Sequence, residues 1–300
     1  MDRHIFWIAS YPKSGNTLIR AIISSLFFSE NGLFEFKMLN NIPIIEDTIN
    51  LKFVKNKNPE EYKELNNIEI LSKYWLELQS KTNLNFFGDF MFVKTHHALI
   101  KMLNNPFTIE NNTRGIIYVV RDPRDIVLSV SNYFGFNIKK SIETLQDENF
   151  FLRWNDTNNL FLNKKKPLSY ISSWKNHYLS WNTNSFNCPK LIIKYEDMVY
   201  NKSIIINKLL SFFIEAYGFK FSNLEEKIPN IIKHTDFKYL KKMEDEEGFQ
   251  ESKNTKFFNV GKKNQWEEKL SRNQVYEIEK VFYEILKKFN YPIMYYKQSN

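Results

Sequence analysis

"IFWIASYPKSGNTLIR", residues 5–20, is the stretch on which the fold turns. Ile5–Ser10 is a near-continuous apolar run, the pattern of a strand covered on both faces. A polar turn follows. Leu18, Ile19, Ile22, Ile23 and Leu26 then recur at helical spacing. A strand, a tight turn and a helix N-terminus together make an anion site, because the first amides of a helix lack partners and the helix dipole is positive there. Within the turn Gly15 allows close backbone approach. Ser14 and Thr17 offer hydroxyls, Asn16 is counted with them among the ligand-binding residues of the turn, and Lys13 adds a charge. An ordinary capped turn draws on the same residue types. The position between an apolar strand and an amphipathic helix favours anion binding.

Three further runs read as buried parallel strands: Phe90–Lys94, Ile116–Val120 and Leu191–Tyr195. Each strand ends at a polar cluster. After the turn at 11–17 these are "THH" at 95–97, "RDPRD" at 121–125 and "YEDM", which begins at Tyr195. Ligands of open α/β sheets bind beyond the carboxyl ends of the strands, so the four clusters are expected to converge. Ile126, Val130 and Phe134 have helical spacing. Val275, Ile278, Phe282, Ile285 and Phe289 form a final helical stripe, opened by a capping box at Ser271 and Gln274. Strand–loop–helix alternation predicts an α/β fold, a doubly wound parallel sheet flanked by helices. Residues 1–300 are read as one domain without internal repeats. The segments near 30–85 and 136–170, rich in Asn, Lys and Glu, fit no strand pattern. They are expected to be helical or irregular excursions covering the site.

The composition, 43% hydrophobic and 25% charged, is that of a globular chain with a core. Forty-two Lys and Arg against 34 Asp and Glu leave a charge of +8, which suits an anionic ligand but equally a solvated basic surface. Cys188 is the single cysteine, so no intrachain disulfide forms, which fits a reducing compartment. No secretory signal or apolar run of membrane-spanning length is present. The expectation is a complete, cytoplasmic chain with no integral membrane segment.

A standard phosphate loop reads G-x-x-x-x-G-K-[ST], with its lysine directly after the second glycine. Here Asn16 follows Gly15, Ser10 stands at the first glycine, and the nearby lysine is Lys13. In this form "YPKSGNTLIR" resembles the 5′-phosphosulfate loop of the sulfotransferases that use 3′-phosphoadenosine 5′-phosphosulfate (PAPS), both cytosolic and Golgi. The resemblance implies a P-loop-like fold, PAPS as donor, 3′,5′-bisphosphoadenosine (PAP) as product, and no required metal. A transferring sulfuryl group carries less negative charge than a γ-phosphoryl group. A lysine with backbone donors can therefore take the part that magnesium plays in phosphoryl transfer.

Further segments resemble that family in the same order along residues 9–271. "VVRDPRDIVLSV", residues 119–130, resembles its 3′-phosphate motif, implying that Arg121 and Ser129 clamp that phosphate; a structural pair of Arg121 with Asp122 or Asp125 is the other reading. Arg124 has no matching role and is expected at the surface or the helix start. "FVKTHHAL", residues 92–99, resembles the K-T-H segment. It implies that His96 is the general base and that Lys94 balances charge on the transferring group. His96 and His97 point to opposite faces of an extended chain, so only one can face the site. The stretches around 190–198 and 234–244 resemble the adenosine-binding parts, implying that Tyr195, Thr235 and Phe237 hold the base. Trp174 stands where the family has a tryptophan near the donor.

"FFNVGKKNQWEEKLS", residues 257–271, resembles the family's C-terminal loop, matched at Gly261 and Trp266. The usual basic pair before the glycine is replaced by Asn259 and Val260, and Lys262 and Lys263 follow it instead. Lys262 or Lys263 is expected to take over at the 3′-phosphate. Leu18 stands where cytosolic members carry a tryptophan against adenine. The expected reaction is in-line sulfuryl transfer from PAPS to a hydroxyl or amine of an acceptor that the sequence leaves open among carbohydrates, lipids, small alcohols or phenols, and protein tyrosines. Two alternatives compete. A nucleotide kinase or NTPase with a degenerate P-loop would need a magnesium aspartate, for which Asp122 is the contender. A non-catalytic nucleic-acid binder would leave the ordered motifs unexplained, and no nucleic-acid partner is expected.

Overall fold

The structure, a computed structural model, describes residues 3–45, 51–86, 88–153, 168–249, 251, 256–258, 261 and 263–298. Its centre is a four-stranded sheet of β1 (Ile5–Ser10), β2 (Met91–Thr95), β5 (Thr113–Val120) and β8 (Lys190–Lys194). The order is β2-β1-β5-β8 and all pairs are parallel. Two short antiparallel pairs lie outside it: β3 (Lys101–Met102) with β4 (Asn105–Pro106), and β6 (Phe151–Arg153) with β7 (Leu168–Tyr170). Every residue of β1 is buried. That is why the strand is apolar from Ile5 to Ala9 rather than alternating.

Helices cover both faces. After β1 come α1 (Asn16–Phe28) and four short helices, α2 (Lys52–Lys57), α3 (Pro59–Lys63), α4 (Ile68–Ser72) and α5 (Trp75–Leu78). After β5 come α6 (Pro123–Phe134), α7 (Ile138–Gln146) and α8 (Trp174–Asn182). After β8 come α9 (Tyr195–Tyr200), α10 (Lys202–Tyr217), α11 (Leu224–His234), α12 (Phe237–Glu247), α13 (Trp266–Lys269) and α14 (Arg272–Lys288). One core gathers Ile5, Trp7 and Ala9 with side chains of α6, α7, α8 and α14. The other gathers Phe6 and Ile8 with α1, α10 and α12. Successive β1 side chains thus feed opposite cores, and the doubly wound arrangement follows from that alternation.

Several boundaries differ from the sequence reading. β2 begins at Met91 rather than Phe90, and β5 extends back to Thr113. β8 runs from Lys190 to Lys194, so Tyr195 opens α9 instead of closing a strand. The 30–85 excursion is largely helical, but it also forms a core wall through Val54, Leu71, Trp75 and Leu78. A bridge from Ile44 to Lys94 covers the outer edge of β2. The 136–170 excursion holds a strand pair, β6–β7, that the sequence reading lacks; residues 154–167 lie outside the described residues. Among the described residues no helix is long and apolar enough to cross a membrane.

Because all four central strands are parallel, their carboxyl ends share one edge. The chain leaves β1 toward β2 on one side and β5 lies on the other. The order therefore reverses between β1 and β5, where crevices in such sheets open.

Candidate active site

The turn after β1 lies at that crevice. Lys13 has φ 67° and Gly15 φ 98°. Lys13 is therefore a side-chain-bearing residue in the left-handed region, which costs about 1–3 kcal/mol and persists only where the surroundings over-determine it. Gly15 has a second reason to be glycine: a Cβ there would overlap the Tyr195 ring. No side chain caps α1, so its first amides remain directed into the turn. The Ser14 hydroxyl is buried without a hydrogen-bond partner. Asn16 is spent differently: its Nδ2 donates to the Ile8 carbonyl (3.1 Å) and to Ser10 Oγ (3.1 Å), tying the turn to its strand.

Across the crevice, Arg121 Nη1 donates to the Lys13 carbonyl (2.9 Å). Its guanidinium carbon lies 4.2 Å from the Tyr195 ring centroid, while its Nε is buried and unpartnered. The Lys13 ammonium lies 3.7 Å from the Tyr133 centroid and 4.5 Å from that of Phe257. Burial, with Arg121 and Lys94 adding to it and Glu244 opposing, pushes Lys13 down to about 7. Tyr133 follows Ser129 by four residues on α6. The half-buried Ser129 thus shares the helix face that meets Lys13. Phe237 lies against Gly261 (φ 62°), where a Cβ would overlap the ring. The Thr235 hydroxyl donates to the Ile231 carbonyl (2.7 Å), and this side chain is wholly buried.

His96 is buried at the end of β2. Its Nδ1 is 2.7 Å from the Ser10 carbonyl and 3.2 Å from Ser10 Oγ. A carbonyl can only accept, so Nδ1 carries the proton and Nε2 is the basic nitrogen of the neutral ring. Burial, reinforced by Lys94, holds the imidazole well below its ordinary range. His97 points into the opposite core, stacked on Phe107 with centroids 4.3 Å apart. The Lys94 ammonium is 3.6 Å from the Glu251 carboxylate, and that carboxylate accepts from Arg20 Nη1 at 2.6 Å. Burial alone would raise Glu251, but Lys94 and Arg20 hold it down at about 2. The arrangement gathers Lys13, Lys94, His96, Arg121 and Tyr195 with the Ser14–Thr17 turn: cations and donors suited to a polyanion, beside a neutral imidazole.

Other expectations fare differently. Arg124 is not at the surface. It is fully buried, bonded to Asp122 (2.7 Å) and Glu279 (2.9 Å), and packed 3.7 Å from the Trp266 ring centroid. Its charge is matched by a carboxylate 155 residues away in the chain, which no local reading finds. Asp122 pairs with Arg124, not with Arg121, and caps α6 through the Arg124 amide. It is thereby engaged rather than presented as a magnesium ligand. Trp174 lies in the core against Phe282 (5.0 Å). Lys263 is exposed, its ammonium 4.6 Å from the Tyr200 ring centroid. Lys262 lies outside the described residues. Sequence reasoning missed Tyr133, Phe257, Glu251 and Arg20. Of these only Tyr133, one turn beyond Ser129, carried a usable signal.

Comparisons with known proteins bear on the family and the fold. The family model described as Sulfotransferase domain matches residues 3–290. Sulfotransferase 1E1 of Rattus norvegicus is 29% identical over 242 residues, covering 78% of this chain and 65% of that protein. Sulfotransferase 1E1 of Bos taurus is 31% identical over 240 residues, with the same coverages. The chain thus spans 65% of the length of these curated relatives. Among solved structures, mouse sulfotransferase SULT7A1 complexed with PAP superposes with a TM-score of 0.60 at 17% identity. It covers 96% of this chain and 86% of that one. Retinol dehydratase in complex with androsterone and inactive cofactor PAP gives 0.58 at 19%, covering 96% and 82%.

Proposed function

The chain belongs to the family described as Sulfotransferase domain, and from that membership and the crevice geometry we propose that it transfers a sulfuryl group from PAPS to a hydroxyl or amine acceptor. The observation that carries this reading is that two neighbouring segments of the site each hold a buried, unmatched polar atom: Ser14 Oγ in the turn after β1 and Arg121 Nε after β5, whose Nη1 reaches that turn at the Lys13 carbonyl. Buried polar groups are almost always bonded, so an orphan of this kind needs an explanation. A ligand with anionic groups on both sides of the crevice supplies one.

On this reading the turn amides, Ser14, Thr17 and Lys13 hold the 5′ end of the donor. Arg121 and Ser129 hold its 3′-phosphate, and Tyr195, Thr235, Phe237 and Gly261 shape the adenosine side. PAPS, when bound, supplies the activated sulfuryl group. Lys13 and Lys94 place positive charge where negative charge develops, in a site with little water to screen it. His96 takes the acceptor proton on Nε2 while Ser10 keeps the other ring nitrogen protonated. The apo imidazole is a weak base because burial and two lysines disfavour its charge. A bound polyanion offsets those lysines and raises its basicity.

Acceptors are small molecules on this proposal, in keeping with the names of two relatives, amine sulfotransferase and 3-beta-hydroxysteroid sulfotransferase. A cytoplasmic location accords with the single, unpaired cysteine. Titration calorimetry of PAP against AMP, both in EDTA, tests the donor assignment. PAP is expected to bind at least tenfold more tightly. Equal affinities would remove the 3′-phosphate clamp, and an absolute magnesium requirement would return the reading to a kinase. His96→Ala is expected to slow transfer by about 10²–10⁴-fold with PAP affinity unchanged.

A further inference from the structure

β2 is an edge strand of the central sheet, and the chain beyond Thr95 has left the ladder. Its peptide groups still need partners, because buried backbone polar groups are costly when unpaired. The His97 amide donates to Thr95 Oγ1 and the Ala98 amide to the Tyr170 carbonyl, and α8 supplies three more partners with side chains. His177 Nε2 lies 3.0 Å from the His96 carbonyl, and Trp181 Nε1 donates to the His97 carbonyl at 2.8 Å. The Leu99 amide donates to Ser180 Oγ at 3.0 Å. Residues 177, 180 and 181 lie on one helix face by the i, i+3, i+4 rule. One face of α8 therefore grips the chain from His96 to Leu99.

His177 is itself fixed. Its Nδ1 is 2.9 Å from the Tyr118 hydroxyl on β5, and the Tyr11 ring stands edge-on at 5.7 Å. The His96 carbonyl can only accept, so His177 Nε2 carries the proton and Nδ1 accepts from Tyr118. Burial pushes His177 down to about 3, which keeps it in this neutral, one-donor, one-acceptor form. The other tautomer would break the bond to the His96 carbonyl, since two acceptors would then face each other. His177 thus spans β5 and the end of β2, and it fixes the plane of the peptide that joins His96 to His97. That peptide lies between the imidazole that meets the Ser10 carbonyl and the one that stacks on Phe107.

We propose that α8 is a clamp on the base segment and that His177 is a positioning residue for His96, holding its peptide so that the imidazole meets Ser10 and presents Nε2 to the crevice. The proposal rests on the reading of His96 as base, and its test separates the two. Imidazole nitrogen spectra of the full chain, in which there are five histidines to assign, report the His96 tautomer with and without PAP. The wild type is expected to show a single His96 tautomer protonated on Nδ1, with Nε2 shifting on PAP addition. His177→Leu is expected to mix the His96 tautomers while PAP affinity stays within about threefold of the wild type. With 2-naphthol as acceptor probe, kcat should fall about 10²-fold, the scale of loss that a small misplacement of a reacting group produces.

His177→Gln keeps a donor within reach of the His96 carbonyl and should restore both readouts to within about tenfold of the wild type. His177→Asn, too short to reach it, should not. If His177→Leu fails to fold, the Gln and Asn pair carries the test. A normal His96 tautomer in His177→Leu or His177→Asn overturns the clamp, as does a Gln variant as impaired as Asn. A wild-type His96 that ignores PAP overturns the base reading instead, and the tautomer comparison then still decides the clamp.

Discussion

Arg121 and Arg124 stand three residues apart at the end of β5, in opposite surroundings. Arg124 belongs to a staple that fastens the C-terminal segment to the sheet. Two carboxylates, the Pro292 carbonyl and the face of Trp266 surround its guanidinium. The Glu279 carboxylate also accepts the amides of Met294, Tyr295 and Tyr296. Beside it, the Asp125 carboxylate accepts the amides of Asn264 and Trp266. Arg121 belongs to the crevice: among the described residues it donates to the Lys13 carbonyl, and its Nε is buried without a partner. A cation whose bonds are complete within the chain holds the fold. One left with unmatched buried donors is kept for something the chain does not supply.

The sharpest way to break this contrast is to remove each arginine and read both stability and binding. Arg124→Met leaves Asp122 and Glu279 buried without their cation. It should cost about 3–5 kcal/mol in denaturant unfolding; a change below 1 kcal/mol would show that the staple is dispensable. Arg121→Ala should leave the unfolding midpoint nearly unchanged and weaken PAP by about 1.5–3 kcal/mol, roughly ten- to a hundredfold, with AMP much less affected. An equal loss for both nucleotides would move Arg121 away from the 3′-phosphate.

The pH dependence sharpens it further. Free Lys13 loses its proton near pH 7, and a bound anion favours the charged form. PAP binding should therefore take up a proton above pH 7, and affinity should fall with rising pH by up to about tenfold per unit. The ligand's own phosphate, with a second pKa near 6, acts in the opposite sense only at lower pH. Calorimetry in two buffers of different ionisation enthalpy counts the proton, and Lys13→Met should abolish the uptake. The smallest effect is expected at Lys263, whose ammonium rests over Tyr200 at the surface. Lys263→Ala should change PAP affinity less than about twofold, because exposed charge contacts contribute little. A tenfold loss would instead assign this lysine to the 3′-phosphate.

The legible parts of the fold were those encoded locally. Ile5–Ser10 and Ile116–Val120 read as strands because both faces are buried and, Ser10 apart, every position is apolar or β-branched. The capping box at Ser271 and Gln274 read directly from two residues, and both of its bonds form. β6 and β7 were not legible, since three-residue strands leave almost no periodicity to detect. Arg124 does stand at the helix start, one of the two places expected, but its burial was not legible, for a different reason. Glu279 sits inside the apolar stripe of α14, where sequence spacing gives no hint that a buried carboxylate awaits a cation from α6. In the site, the turn at 11–17 and the "RDPRD" turn announced themselves by residue type. Arg20 and Glu251, paired across 231 residues, did not. Pairings of that span are set by the fold, and one strand–turn–helix unit carries no trace of them.

The placement of β1 at the centre of the sheet has a consequence for biosynthesis. Ile5 is in register with Met91 on one side and with Thr113 on the other. β1 therefore leaves the ribosome well before either neighbour. At about 5–20 residues per second, this fully apolar strand waits several seconds or more for its partners. Pairing of such sequence separation is slow and exposes the strand meanwhile. The Lys13 turn, which hangs from that strand, takes shape only after the chain has been made at least as far as Arg121. Nucleotide added to a nascent chain shorter than that has no crevice to enter. Until β1 is covered on both sides, the run from Ile5 to Ala9 is the segment that a holding chaperone would meet.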